Sequence, residues 1–193
     1  MIQNLWENVL RRRGRESDLF HFLKKSFLFQ DLSHQEVEFL SQLVHVRNYQ
    51  PGEPIFRQGD SGVGMYLIVN GSVDIVMHDP AGEASNEPNE GIFITRLENG
   101  DFFGELSLAE EPSHRSATAL SLAKSTLVGF FKPDLLQVVQ RNPSTGNKIV
   151  LRLAEILGRR LRETTDKVTE LYTELEQLKT QTKGKKSEKH LTS

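Results

Sequence analysis

Cysteine is absent from this chain of 193 residues. Its absence excludes a disulfide framework, a thiol nucleophile, thiolate-held zinc and iron–sulfur clusters. Long apolar runs are missing too, and none approaches the roughly 18 residues that a membrane span needs. Neither sign of charge dominates: 24 Lys and Arg stand against 26 Asp and Glu, a net charge of -2. That balance argues against a nucleic-acid-binding surface spread over the whole molecule. The opening segment, MIQNLWENVLRRRGRE, places its positive charges after a short amphipathic stretch, the wrong order for a secretory signal. These absences predict an intracellular, cytoplasmic protein, and the length suits one domain with an appendage.

Three textures follow one another along the chain. Residues 1–43 keep helical spacing, first with Leu5, Val9 and Leu10, then with Leu19, Phe20, Phe22 and Leu23. Ser33 with Glu36 three residues later reads as a capping box ahead of Val37, Phe39, Leu40 and Leu43. From Val44 to about Phe131 the sequence breaks into short runs punctuated by glycine: VHVRNY, PIFRQ, MYLIV, SVDIVMH, IFITRL, SATALS and TLVGFF. Seven strands at about ten-residue spacing predict a barrel, jelly roll or sandwich. Asn70-Gly71 between MYLIV and SVDIV predicts a tight type I′ hairpin, and His78–Gly91 reads as an exposed hairpin loop.

After Lys132-Pro133 the pattern is helical again. Leu135, Leu136, Val138 and Val139 predict a short helix that ends before Asn142-Pro143. A proline-free stretch from Thr145 to about Lys179 then carries a heptad seam. Ala154, Leu161, Val168 and Leu175 occupy one seam position, and Leu157, Thr164, Leu171 and Leu178 the other. A seam of that length predicts a partner helix, most economically from a second copy, so a homodimer through 150–178 is expected. The other reading is an amphipathic helix lying on the β domain. The boundaries expected are a helical arm over 1–27, a β domain over 28–143, a dimer helix over 144–180 and a disordered basic tail over 181–193.

The chemistry-bearing segment is Gly100 to Leu120, GDFFGELSLAEEPSHRSATAL. Gly104 is followed at once by a carboxylate, Glu105, and a helical turn, Glu105-Leu106-Ser107-Leu108, begins there. Glycine permits close approach to the backbone, and the N–H groups of a helix start attract anions. Arg115, ten residues on, leads into SATALS. An arginine pointing into a barrel calls for an anionic partner, which a phosphate supplies with bidentate geometry. A carboxylate beside that anion suits a sugar hydroxyl, and phosphate with sugar hydroxyl means nucleotide. On spacing alone, a Glu105–Arg115 ion pair at the barrel surface is an equal alternative.

The segment GDFFGELSLAEEPSHRSATA resembles the phosphate-binding cassette of cyclic-nucleotide-binding domains. The likeness extends upstream through PGEPIFRQGDSGVGMYLIVNGSVDIV, with Gly52, Gly59-Asp60, Tyr66 and Asn70-Gly71 in order, and covers roughly Leu28 to Val168. It implies a mainly β fold with flanking helices: a double-stranded β-helix (jelly roll) followed by a long dimerisation helix. It implies that Glu105 holds the ribose 2′-hydroxyl and that Arg115 pairs with the cyclic phosphate. Gly104, Leu106, Ser107 and Ala117 around them, together with the Ser116 hydroxyl, complete the implied contacts. The separation of Glu105 from Arg115 is more similar to the bacterial catabolite activator group than to kinase regulatory subunits. GRRLRETTDKV resembles that group's dimer helix, which implies base contacts from Thr164 and Thr165, with Arg160 as a further polar candidate. Thr164 is also the one polar residue of the seam.

The implied ligand is cAMP, with cGMP less favoured, and no cofactor or metal is expected. The fifteen residues after Leu178 are too few for a DNA-reading domain, so the effector is expected to be a separate, unidentified protein. Two further readings stay open: a dimerisation module with a degenerate pocket, and a regulatory subunit of a transcription factor, channel or kinase system. The six histidines are scattered, Ser107 and Ser113 lack a nucleophile elbow, and no acid–base pair is legible, so catalysis is not expected.

Overall fold

A computed structural model describes residues 17–77 and 91–191, with side chains as far as residue 179. The amphipathic opening segment and most of the expected exposed loop lie outside the described residues. The chain divides into two compact units, Met1–Arg152 and Leu153–Ser193.

Helix α1 covers residues 17–25, and α2 spans His34–Ser41. The start of α2 is fixed locally: Ser33 Oγ accepts from Glu36 N at 3.3 Å, and the Glu36 carboxylate accepts from Ser33 N at 2.6 Å. This is the reciprocal capping box expected from the sequence. Between the two helices the chain runs through turns, and Leu28, Phe29 and Leu32 are buried there. Phe29 packs edge-on against Phe130 with ring centroids 5.7 Å apart.

Among the described residues eight strands follow: β1 (His45–Tyr49), β2 (Pro54–Phe56), β3 (Gly64–Asn70), β4 (Val73–Met77), β5 (Ile92–Leu97), β6 (Phe102–Phe103), β7 (Thr118–Ser121) and β8 (Ser125–Phe131). They form two antiparallel four-stranded sheets, ordered β1-β8-β3-β6 and β2-β7-β4-β5. Consecutive strands alternate between the sheets for most of their length, as in a double-sheet jelly roll. The inner faces meet in a cluster of Tyr49, Tyr66, Ile68, Val73, Phe103, Ala119 and Leu127. At 25 cal/mol per Å2 of apolar surface, each large side chain buried in that cluster is worth about 2 kcal/mol.

Two details differ from the expectation. Asn70-Gly71 is not a type I′ hairpin: β3 and β4 lie in different sheets, and positive φ occurs only at Gly71 (+108°). The dipeptide turns a corner from one sheet to the other, with Gly71 N donating to Asn99 Oδ1 at 2.8 Å. The real hairpin partner of β4 is β5, which pairs from Val73↔Leu97 to Met77↔Ile92. The eighth strand, β6, is two residues long, too short for any alternation to betray it. It pairs Tyr66↔Phe103 and so sets the start of the cassette against β3.

A single turn of helix, α3 (Leu106–Ala109), interrupts the strands, and α4 (Lys132–Arg141) and α5 (Pro143–Leu191) close the chain. Asp134 caps α4 by accepting from Phe131 N at 2.9 Å. In the first unit, the root of α5 is tied to the N-terminal segment. Lys148 Nζ and Thr145 Oγ1 donate to Glu36, and Arg152 Nε donates to Asp31 at 2.6 Å with its guanidinium above the Phe27 ring. Partial burial alone would raise the Glu36 pKa; the hydrogen bonds from Lys148, Ser33 and Thr145 outweigh it and hold the carboxyl at about 2. In the second unit, α5 runs on to Leu191. Among the described residues no helix is long and apolar enough to cross a membrane.

Candidate functional site

The site grows from a glycine. Gly104 follows β6 with φ +78°, a conformation that L side chains rarely adopt. A Cβ there would also lie 2.5 Å from Arg115 Nη1 and 3.2 Å from Gly64 O. Gly104 therefore turns the chain into α3 and leaves room for a guanidinium. Ser107 N donates to Gly104 O at 3.2 Å and Leu108 N to Glu105 O at 2.9 Å, which winds the turn that starts α3.

Arg115 lies three residues before β7 in a segment pinned from both sides. Its N–H donates to Asp60 O at 2.9 Å, and its carbonyl accepts from Gly59 N at 2.8 Å. The residue is only 6% exposed. Nη1 donates to Gly104 O at 3.2 Å and to Ser107 Oγ at 3.0 Å, and Nη2 donates to Gly64 O at 2.7 Å. The guanidinium carbon stands 4.0 Å from the centroid of Phe56, a stacking distance. All three hydrogen bonds end on neutral oxygens. Nε is buried and meets no hydrogen-bond partner among the described residues. Burial lowers the Arg115 pKa, while the surrounding Tyr66, Asp60 and Glu105 work in the opposite direction. Arginine still keeps its proton, so the site holds a desolvated positive charge.

Glu105 is 4% exposed. The alternative of a surface Glu105–Arg115 ion pair is therefore corrected, because both groups are inside and the guanidinium hydrogen-bonds elsewhere. The structure brings together Gly104, Glu105, Leu106, Ser107 and Arg115 in the first unit, with Ser107 buried and Leu106 exposed. Ser116 is exposed and Ala117 half-buried, directly after Arg115. Arg160, Thr164 and Thr165 belong to the second unit. There Thr164 and Thr165 are exposed, with Oγ1 donating to Arg160 O and Leu161 O, each at 2.8 Å.

Sequence reasoning missed Phe56, the Gly64 carbonyl and Ser113. The first two reach Arg115 from residues far upstream, and only the glycine at 64 hinted that a backbone would be approached there. Ser113 was weighed only as a nucleophile. Among the described residues, no group of three or more His, Asp or Glu is placed to hold a metal ion.

Comparisons with known proteins point to one family. The family model described as "Cyclic nucleotide-binding domain" matches residues 46–142. The cyclic AMP receptor protein of Thermus thermophilus is 34% identical over 73% of this chain and 60% of its own length. The cAMP-activated global transcriptional regulator CRP of Salmonella typhimurium is 32% identical over 69% of this chain and 58% of its own. The chain thus spans about 60% of the length of these two relatives. The crystal structure of the Thermus thermophilus catabolite activator protein superimposes with a TM-score of 0.64 at 32% identity, covering 76% of this chain and 63% of that one. With a family model that matches half of its length, the chain belongs to the cyclic nucleotide-binding domain family and is a sensor domain of that kind.

Proposed function

We propose that this chain is a cAMP sensor that works as a homodimer and passes ligand occupancy along α5 to a partner protein. The observation that carries this reading is Arg115: a buried guanidinium whose hydrogen bonds go to neutral oxygens and whose Nε has none among the described residues. A charge removed from water is costly until an opposite charge meets it. A cyclic phosphate meets it with one negative charge and two exocyclic oxygens.

Glu105 accepts the ribose 2′-hydroxyl in this reading. The backbone at Gly104, Leu106 and Ala117 and the Ser116 hydroxyl line the phosphate, while the resemblance assigns the base to Thr164 and Thr165, with Arg160 as a further polar contact. The choice of cAMP over cGMP is supported by the names of the two relatives. Dimerisation through 150–178 is supported by the seam itself: Leu161, Val168, Leu171, Leu175 and Leu178 are all exposed on one chain. Ligand contact would bias α5 between two arrangements, which is how occupancy becomes a signal.

A thermal melt of the chain with cAMP, with cGMP and without ligand tests the reading. At a hundred times the dissociation constant, cAMP should add about 2.7 kcal/mol of stability. Arg115→Ala should abolish that gain. Identical melts with and without either nucleotide would overturn the reading.

A further inference from the structure

Behind Arg115 lies a pair of hydroxyls. Ser107 Oγ accepts from Arg115 Nη1 at 3.0 Å, and Ser113 Oγ donates to Ser107 Oγ at 3.0 Å. Both serines are buried, at 2% and 6% exposure. Gly62 N donates to Ser113 O at 2.9 Å. A Cβ on Gly62 would overlap Ser107 Oγ and come within 2.9 Å of Ser113 Oγ. The pair is thus packed from the side of residue 62, with no room for a larger group.

A hydroxyl has two lone pairs and one hydrogen. With Ser113 donating into one lone pair of Ser107 and Arg115 into the other, the Ser107 rotor is fixed from two directions. The acceptors are neutral. A carboxylate in the place of Ser107 would grip the guanidinium harder but cancel the charge that an anion needs. Hydroxyls set the direction of Nη1 and leave its charge available.

We propose that Ser107 and Ser113 are positioning residues: Ser113 orients the Ser107 hydroxyl, Ser107 orients Arg115, and neither touches the ligand. The inference rests on the phosphate-binding reading of Arg115 above. It moves Ser107 from the ligand contacts expected from the sequence to a place behind them, and it gives Ser113 and Gly62 a function.

The test is a double-mutant cycle on the whole chain, read as cAMP affinity by calorimetry. Ser107→Ala should weaken binding about tenfold, the scale of one hydrogen bond to a charged group. Ser113→Ala should weaken it about threefold, and the double variant should be no weaker than Ser107→Ala alone, because Ser113 acts only through Ser107. Ser107→Asp should lose binding by about a hundredfold or more. A second readout needs no ligand: the 15N–1H resonances of the Arg115 guanidinium should shift in Ser107→Ala, with Nη1 more mobile there because only Gly104 O still holds it. Independent, additive losses from the two alanine variants, or unchanged affinity, would overturn the proposal. Were the wild-type chain to bind no cyclic nucleotide, the functional reading would fall separately. The guanidinium spectra would then decide alone, with identical spectra in wild type and Ser107→Ala refuting positioning.

Discussion

The cassette and the outer part of α5 treat their hydroxyl groups in opposite ways. In the cassette, Ser113 donates to Ser107, Ser107 accepts from Arg115 eight residues away in sequence, and the arginine reaches back 51 residues to Gly64. On the helix, Thr164, Thr165, Thr169 and Thr173 each donate to the carbonyl four residues before them. The first pattern ties distant segments into one geometry; the second closes each hydroxyl on its own turn. Apolar groups show the reverse contrast. Phe103, Leu108 and Tyr66 in and around the cassette are covered within the first unit, whereas Leu161, Leu171, Leu175 and Leu178 of the seam are open. The first region is covered within its own unit, and the second leaves apolar side chains open.

Breaking the cassette at its tightest point should have the largest effect. Gly104→Ala places a side chain at positive φ and against Arg115 Nη1. Strain of this kind costs about 1–3 kcal/mol, and the displaced guanidinium should lose cAMP binding altogether. Calorimetry and a melt of the same sample check both parts. A variant that binds normally would mean that Nη1 is not where the phosphate is read.

Next in size is the seam. Leu171→Asp puts a charge where two helices would meet, so sedimentation should show monomer at micromolar concentration while the wild type remains a dimer. Melting of the β domain should hardly move, because Leu171 is exposed on its own chain. Were the wild type itself monomeric, the seam would have another occupant.

The smallest effect sharpens the comparison at the root of α5. Glu36 has its carboxyl held at about 2, so its contribution to stability is complete above its ordinary pKa near 4.5 and drains away as pH falls toward 2. After discounting for solvent screening, this is on the order of 2 kcal/mol. Glu36→Gln should therefore melt a few degrees lower than wild type at pH 6, and the gap should narrow by pH 3. A gap independent of pH would point to packing rather than charge.

What was legible in the sequence follows the same division between local and distant partners. Ser33 and Glu36 cap α2 across three residues, and Pro133 with Asp134 opens α4; such pairs can be read along the chain. The cassette was legible as a run of consecutive residues, from the glycine-glutamate pair to the arginine. The side chain that stacks on that arginine was not, because Phe56 meets it only after β2 and the stretch before β7 have folded together. Asn70-Gly71 misled for a related reason. Its dipeptide signal is real, but Tyr66 pairs with Phe103 and Gly129, and that pairing pulls β3 away from β4. A turn preference of a few tenths of a kcal/mol yields to a sheet of buried side chains, each worth about 2 kcal/mol.

Arg115 has one more consequence, and it concerns salt. Exposed charges are screened over about 8 Å at physiological ionic strength, whereas a pair enclosed by protein is screened far less. Arg115, a residue only 6% exposed whose guanidinium is backed by Phe56, belongs to the second class. The close contact between it and a phosphate should hold nearly the same strength across the range of salt a cell experiences. Occupancy would then follow the concentration of the nucleotide and disregard the ionic background, which is what separates a gauge of one molecule from a general detector of anions.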